Sequence, residues 1–243
     1  MPRPLVFAHR GASAYEMENT LNAFKKAVEL NADGIELDLQ ITRDDVPVVT
    51  HDLDLRRVTG KRRLVTNVSL AEIKRLRVGK PFTRRYSGQE MLTLDELITW
   101  VKENPIALNI ELKESFIDNP FVLEIVIKKC AHLPNVHFSS FFLEVLEHAK
   151  KINKRIETAL IATRKLNWHQ LKNLPYIDAI HANKTWYYKT EYLDACLIAK
   201  KKCRFYNITG DEEYLENPHT AVVGWITDFP ERVLRVQKKN ADN

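Results

Sequence analysis

The chain has 243 residues, 44% hydrophobic and 28% charged, with 7 Gly and 10 Pro, which excludes a disordered or fibrous protein and suits one soluble domain with a large core. Its formal charge of +5 is unevenly placed: 5 basic and 10 acidic side chains in residues 1–54, 11 and 2 in residues 55–90, and 21 and 20 in residues 91–243, so a local basic patch is expected and no nucleic-acid footprint across the domain. Cys130, Cys196 and Cys203 form neither a zinc-ribbon spacing nor a disulfide framework, and no run of about 18 apolar residues marks a membrane span, so a cytoplasmic protein without stable membrane insertion is expected.

In chain order, short β-branched or apolar runs alternate with amphipathic ones. Residues 4–9 read as a strand, 20–30 as a helix, and 34–41 and 46–50 as strands. Residues 55–90 break this rhythm. Basic and loop-rich, with one short helix near 69–77 opened by a capping box at Ser69 and Glu72, they read as an insertion projecting from a barrel face. The rhythm resumes with a helix at 94–103 behind a second capping box, Thr93 and Glu96. Strands follow at 107–113, 136–141, 156–162, 179–181, 204–208 and 222–227, with helices at 121–131, 143–152, 168–174, 191–202 and 231–238. Pro230 stands where a first helical turn tolerates proline. Eight units plus one extra strand predict an α/β fold: a (β/α)8 TIM barrel over residues 1–243, with the insertion after the second strand pair. A doubly wound sheet competes, but no strand is followed by a Gly-rich phosphate loop.

Side chains alternate along a strand, so Glu36, Asp38 and Gln40 share one face of 34–41, and Asn109, Glu111 and Lys113 share one face of 107–113. In a barrel the opposite, apolar faces pack on the helices, so these polar sets aim inward. Three converging carboxylates raise one another's pKa unless a cation neutralises them. All-oxygen ligation suits a hard divalent ion, Mg²⁺ or Ca²⁺, better than zinc, and pairing with a nearby Arg or Lys is the alternative. His9 closes the first strand and His51 follows the third, both read as C-terminal ends, where barrel enzymes carry catalytic groups. Two imidazoles could serve phosphodiester hydrolysis as acid and base, and a structural role is the alternative for each. Arg10 supplies a cation suited to a phosphate or to a salt bridge.

The runs His9-Arg10-Gly11-Ala12, Glu18-Asn19-Thr20, Glu36-Leu37-Asp38, His51-Asp52, Asn109 to Lys113 and Ile226 to Pro230 closely resemble, in order and spacing, the glycerophosphodiester phosphodiesterase family. The resemblance runs nearly end to end. It implies a TIM barrel, a divalent metal held by Glu36, Asp38 and Glu111, His9 and His51 as the general acid/base pair, and Arg10 and Lys113 on the phosphate. The length is similar to that of the small cytosolic bacterial members. Two departures stand out. Met17 takes the place of a usual proline, touching loop shape and no chemical group. Tyr206 to Thr209 replaces a common Thr-Val-Asn, which bears on head-group preference.

His181 and Asn183 are candidate contacts to glycerol or phosphate, with a strand-end hydrogen-bonded pair as the alternative. Phe141, Phe142, Trp186 and Tyr187 are candidate pocket walls or plain packing, and Ser139 and Ser140 could line the site. Asp228 reads as a cap of the last helix. The cations of residues 200–204 read as complements to a helix C-terminus, and Cys203, despite cationic neighbours, receives no role.

The expected function is metal-dependent hydrolysis of a small-molecule glycerophosphodiester to glycerol 3-phosphate and an alcohol. Two other readings stay open: a lysophospholipase D with the insertion against anionic head groups, and a non-catalytic module gripping a polyanion through residues 55–90. For the enzyme, Arg56, Arg57, Arg62 and Arg63 read as a steering surface for anionic substrate.

Overall fold

The computed structural model describes residues 3–82 and 84–241. Nine strands form one sheet: β1 (Leu5–His9), β2 (Gly34–Ile41), β3 (Pro47–Val49), β4 (Ala107–Leu112), β5 (Val136–Ser140), β6 (Glu157–Ile161), β7 (Ala179–Asn183), β8 (Lys202–Ile208) and β9 (Val222–Thr227). Their order is β1-β9-β8-β7-β6-β5-β4-β2-β3, and a β1–β2 pairing closes eight parallel strands into a TIM barrel. The extra strand is β3. It pairs antiparallel with the end of β2, Leu39 opposite Val49, and lies outside the barrel count.

Helices α1 (Leu21–Glu29), α2 (Arg56–Thr59), α3 (Leu70–Ile73), α4 (Arg84–Ser87), α5 (Leu94–Glu103), α6 (Pro120–Cys130), α7 (Leu143–Ile152), α8 (Lys184–Tyr187), α9 (Thr190–Ile198) and α10 (Pro230–Ala241) complete the fold. Both capping boxes form: Ser69 and Glu72 open α3, and Thr93 and Glu96 open α5. The outward residues of β2, β4 and β5, including Leu37, Ile110 and Phe138, pack on Phe24, Leu97 and Val126 from the helices. A second cluster around Phe205 and Trp225 closes the other half. Each such side chain, fully buried, is worth about 1.5–3 kcal/mol.

Three segments differ from expectation. The stretch at 168–174 forms a 3₁₀ helix, Trp168–Asn173, and β6 and β7 are therefore joined without an α-helix. The helix expected at 191–202 stops at Ile198, because Lys200 turns to φ 55° and Lys202 already begins β8. Hence Lys202 and Arg204 pair with Glu157 on β6, while the Lys201 ammonium donates to the carbonyls of Leu174 and Ile177. The 55–90 stretch, in which Thr83 lies outside the described residues, has α2, α3, α4 and a 3₁₀ turn (Val65–Asn67) where one helix was expected. Of these, α2, α3 and the 3₁₀ turn share a small core of Leu55, Val58, Val65, Ile73 and Met91, and α4 buries no side chain in it. Among the described residues, no helix is long and apolar enough to cross a membrane.

Candidate active site

The alternation that buries Leu37 and Ile110 outside the barrel sends polar side chains inside. Phe7 fills the floor because Gly34 opposite it has no Cβ; one placed there would lie 2.4 Å from the Phe7 ring. Toward the C-terminal mouth, a cavity of about 110 Å³ is lined by His9, Arg10, Glu36, His51, Asn109, Glu111, Ser139, Phe141, Ile161, His181, Tyr206 and Ile226.

Glu36, Asp38 and Glu111 meet as expected from their shared faces. Each offers an oxygen, and the three lie within 4.8 Å of one another. Arg10 and Gly11 both take positive φ, 56° and 80°, and this turn points the Arg10 amide at Glu36 Oε2, 2.7 Å away. Asn19, at φ 56°, donates from Nδ2 to Asp38 Oδ2 at 2.8 Å and accepts from the Asp38 amide. The Lys113 ammonium lies 2.6 Å from Glu111 Oε1 and 3.6 Å from Asp38 Oδ1, and Arg10 Nε lies 3.4 Å from Asp38 Oδ2. Both sequence readings are thus present together: a carboxylate cluster and cations against it. Two cations do not balance three acids. Burial, then the neighbouring Asp38 charge, pushes the Glu36 and Glu111 carboxyls well above the usual range, and Asp38 Oδ1 is buried without a hydrogen-bond partner. A divalent cation would relieve both, so the donor set fits a hard ion.

The two histidines reach this cavity by different routes. His9 ends β1, whereas His51 does not end a barrel strand: β3 runs back along β2 and returns His51 to the mouth, where its carbonyl accepts from Gln40 Nε2 at 3.2 Å. Each ring is oriented by a carboxylate. His9 Nδ1 lies 2.6 Å from Asp228 Oδ1, and His51 Nδ1 lies 2.7 Å from Asp52 Oδ1. A carboxylate only accepts, so each Nδ1 carries the proton and Nε2 is left for chemistry. Burial lowers the His9 pKa, but the Asp228 hydrogen bond and the Glu36 charge outweigh it and hold the imidazole above its ordinary value.

Asp228 is therefore not spent as a helix cap. Its Oδ1 takes His9 and the Ser13 hydroxyl, and Thr227 Oγ1 accepts the Phe229 amide at the start of α10. His181 lies in the cavity wall, its Nε2 buried and unpartnered, packed edge-on against His137 at 5.5 Å. Burial first, then Arg204, keeps both rings well below the usual histidine pKa. Asn183 does not join the cavity wall. It caps α8 by accepting from the Thr185 amide, and its side chain bonds Tyr206. Phe141 and Ser139 line the cavity, but Phe142 precedes α7 and packs in the outer core, and the Ser140 hydroxyl donates to the Leu112 carbonyl. Trp186 and Tyr187 wall a separate cavity with Arg164 and Trp168. Cys203 is buried, and its hydrogen bond with Cys196 and its burial push the thiol up, so its cationic neighbours do not activate it. Sequence reasoning did not single out Ser13 or Asn19, and it read Arg57 as one of four steering charges. The first two sit in the turn after β1, and Asn19 stood inside the Glu18-Asn19-Thr20 run.

A parallel barrel with paired carboxylates and two oriented imidazoles at its C-terminal mouth is the arrangement of a barrel hydrolase. The model of the glycerophosphoryl diester phosphodiesterase family matches residues 9–232. A glycerophosphodiester phosphodiesterase of Caldanaerobacter subterraneus subsp. tengcongensis is 31% identical over 98% of this chain and 99% of its own, and one of Bacillus altitudinis is 31% identical over 96% and 98%. The structure of an Oleispira antarctica phosphodiesterase in complex with the product sn-glycerol-3-phosphate superposes with a TM-score of 0.85 at 24% identity, covering 97% of both chains. The chain belongs to the glycerophosphoryl diester phosphodiesterase family and is a phosphoric diester hydrolase.

Proposed function

We propose that this enzyme hydrolyses a glycerophosphodiester to glycerol 3-phosphate and an alcohol with the help of Mg²⁺ or Ca²⁺. The observation that carries this reading is that His9 and His51, each anchored through Nδ1 to a carboxylate, line the same cavity as Glu36 and Glu111. The product bound in the Oleispira antarctica relative supports a substrate of this class.

Glu36, Asp38 and Glu111 would hold the ion, which when bound supplies positive charge against the phosphoryl oxygens. Three carboxylates against Arg10 and Lys113 leave one negative charge in excess. A divalent ion turns this into one positive charge, which a phosphodiester monoanion matches. Lys113 and Arg10 would then turn toward the phosphate, and one imidazole Nε2 would take a proton from the nucleophile while the other gives one to the leaving alkoxide. The neutral His181 ring, with its unpartnered Nε2 in the cavity wall, would hydrogen-bond a glycerol hydroxyl. Asn183, engaged with Thr185 and Tyr206, would act by fixing the Tyr206 ring in the wall. The three buried free cysteines are in keeping with a cytoplasmic enzyme.

Choline release from glycerophosphocholine and from lysophosphatidylcholine, measured side by side, tests the reading. Release from the first substrate, reduced by a factor on the order of 10²–10⁴ in His9→Ala and His51→Ala, is expected. Near-wild-type turnover in either variant would remove the acid/base assignment, and preference for the lysolipid would replace the substrate class.

A further inference from the structure

The basic stretch after His51 contributes one side chain that is not a free surface charge. Arg57, on α2, sends Nε to Asp52 Oδ2 at 2.6 Å, Nη1 to Glu18 Oε2 at 2.6 Å and Nη2 to Glu18 Oε1 at 2.8 Å. Asp52 holds His51 Nδ1 through its other oxygen, and Glu18 Oε1 also accepts from Arg10 Nη1 at 2.7 Å. The guanidinium fork thus joins two pairs from different loops: Asp52–His51 after β3, and Glu18–Arg10 after β1. Arg57 is itself fixed in place, because its neighbours Leu55 and Val58 are buried in the small core of the 55–90 stretch.

We propose that Arg57 is a positioning residue for the reaction: it locks the Asp52 carboxylate, and through it the His51 ring, into one frame with Arg10 at the barrel mouth. This rests on the acid/base role of His51 proposed above. Asp52 has two oxygens and no strand to hold it, since β3 ends at Val49. With Oδ2 released, the carboxylate can rotate about its side chain and carry the imidazole with it. Lysine could not replace the fork, because one ammonium cannot present parallel donors to Glu18 and a third to Asp52. The Arg57 side chain is 47% exposed, and ion pairs of that exposure add little to stability, so the loss should appear in turnover and not in melting. Arg62 differs: exposed, it has no carboxylate at ion-pair distance among the described residues and does not line the cavity at the barrel mouth.

The test combines kinetics on glycerophosphocholine with ¹⁵N NMR of the His51 ring, in Arg57→Ala, Arg57→Lys and Arg62→Ala. Arg57→Ala should lower kcat on the order of 10–100-fold with KM within about twofold, broaden or remove the His51 Nδ1–H signal, and regain part of kcat when guanidinium is added. Arg57→Lys should restore little, and Arg62→Ala should leave kcat and the ring signal unchanged. An unchanged ring signal and kcat in Arg57→Ala, or a loss confined to KM with a flattened salt dependence, would overturn the proposal and make Arg57 a steering charge. If Arg57→Ala does not fold, Arg57→Gln is read against the same outcomes. If the wild-type enzyme cleaves no glycerophosphodiester, the proposed function fails, while the ring signal still decides whether Arg57 orients His51.

Discussion

His9 and Asp228, 219 residues apart in sequence, meet at 2.6 Å because the ends of β1 and β9 are neighbours in the barrel. Asp228 fixes the His9 tautomer and raises the ring's proton affinity. Asp228→Asn should keep the fold, lower kcat by a factor on the order of 10²–10³, and move the His9-dependent limb of the pH–rate profile to lower pH, since a neutral amide no longer favours the imidazolium. A limb that stays in place, or moves up, would show that Asp228 does not set the state of His9.

His137 and His181 should make the protein less stable in mild acid. Both are buried with folded pKa values well below the ordinary 6.5. Below about pH 6.5 the unfolded chain binds protons that these folded rings cannot, so stability falls as pH drops, by about 1.4 kcal/mol per unit for each ring, and is unaffected by them above. His9 opposes this with the contrary sign: its raised folded value gives stability that is present below pH 6.5 and lost as pH rises through that value. Glu36 and Glu111, held above the usual carboxylate range, oppose it with the same sign as His9, so the effect of the buried rings is read from a variant and not from the wild-type slope. The urea midpoint of His137→Asn should gain on that of the wild type as pH falls from 7 to 5. A difference between the two that stays constant across that range would contradict the buried neutral assignment.

Gly11 couples fold to site. At φ 80° it makes the turn that aims the Arg10 amide at Glu36, and a Cβ there would lie 2.6 Å from Ala23 Cβ and 2.8 Å from the Ala23 carbonyl oxygen. Gly11→Ala should cost about 2–4 kcal/mol, from overpacking and left-handed strain together, and lower turnover through the displaced amide. Thermal melting and kcat measured on the same variant check both effects, and a wild-type melting point would show that the turn tolerates a side chain.

Much of this architecture was legible because it rests on period. The alternation at 34–41 and 107–113 identifies the inward carboxylates before any coordinate does, since a strand has only two faces. What escaped is what depends on pairing between distant segments. The antiparallel direction of β3 was hidden, because a strand of three residues carries no sign of its partner. The Asp228–His9 contact was hidden for the same reason, and a local helix-cap reading took its place. Arg57 looked like one charge among eleven in its stretch, and the folded positions of Glu18 and Asp52 separate it from Arg62. The helix expected over 191–202 ran too long because cations continue a helical pattern, while the left-handed turn at Lys200 leaves no mark in composition.

The proposed activity is tested most directly by ³¹P NMR of glycerophosphocholine incubated with EDTA-stripped protein, before and after Mg²⁺ or Ca²⁺ is restored. The phosphodiester resonance should persist with stripped protein and convert to the monoester resonance of glycerol 3-phosphate once the ion is added, with Glu111→Gln inactive in both conditions. Full conversion by stripped wild-type protein, or none with either ion, would contradict a metal-dependent glycerophosphodiesterase.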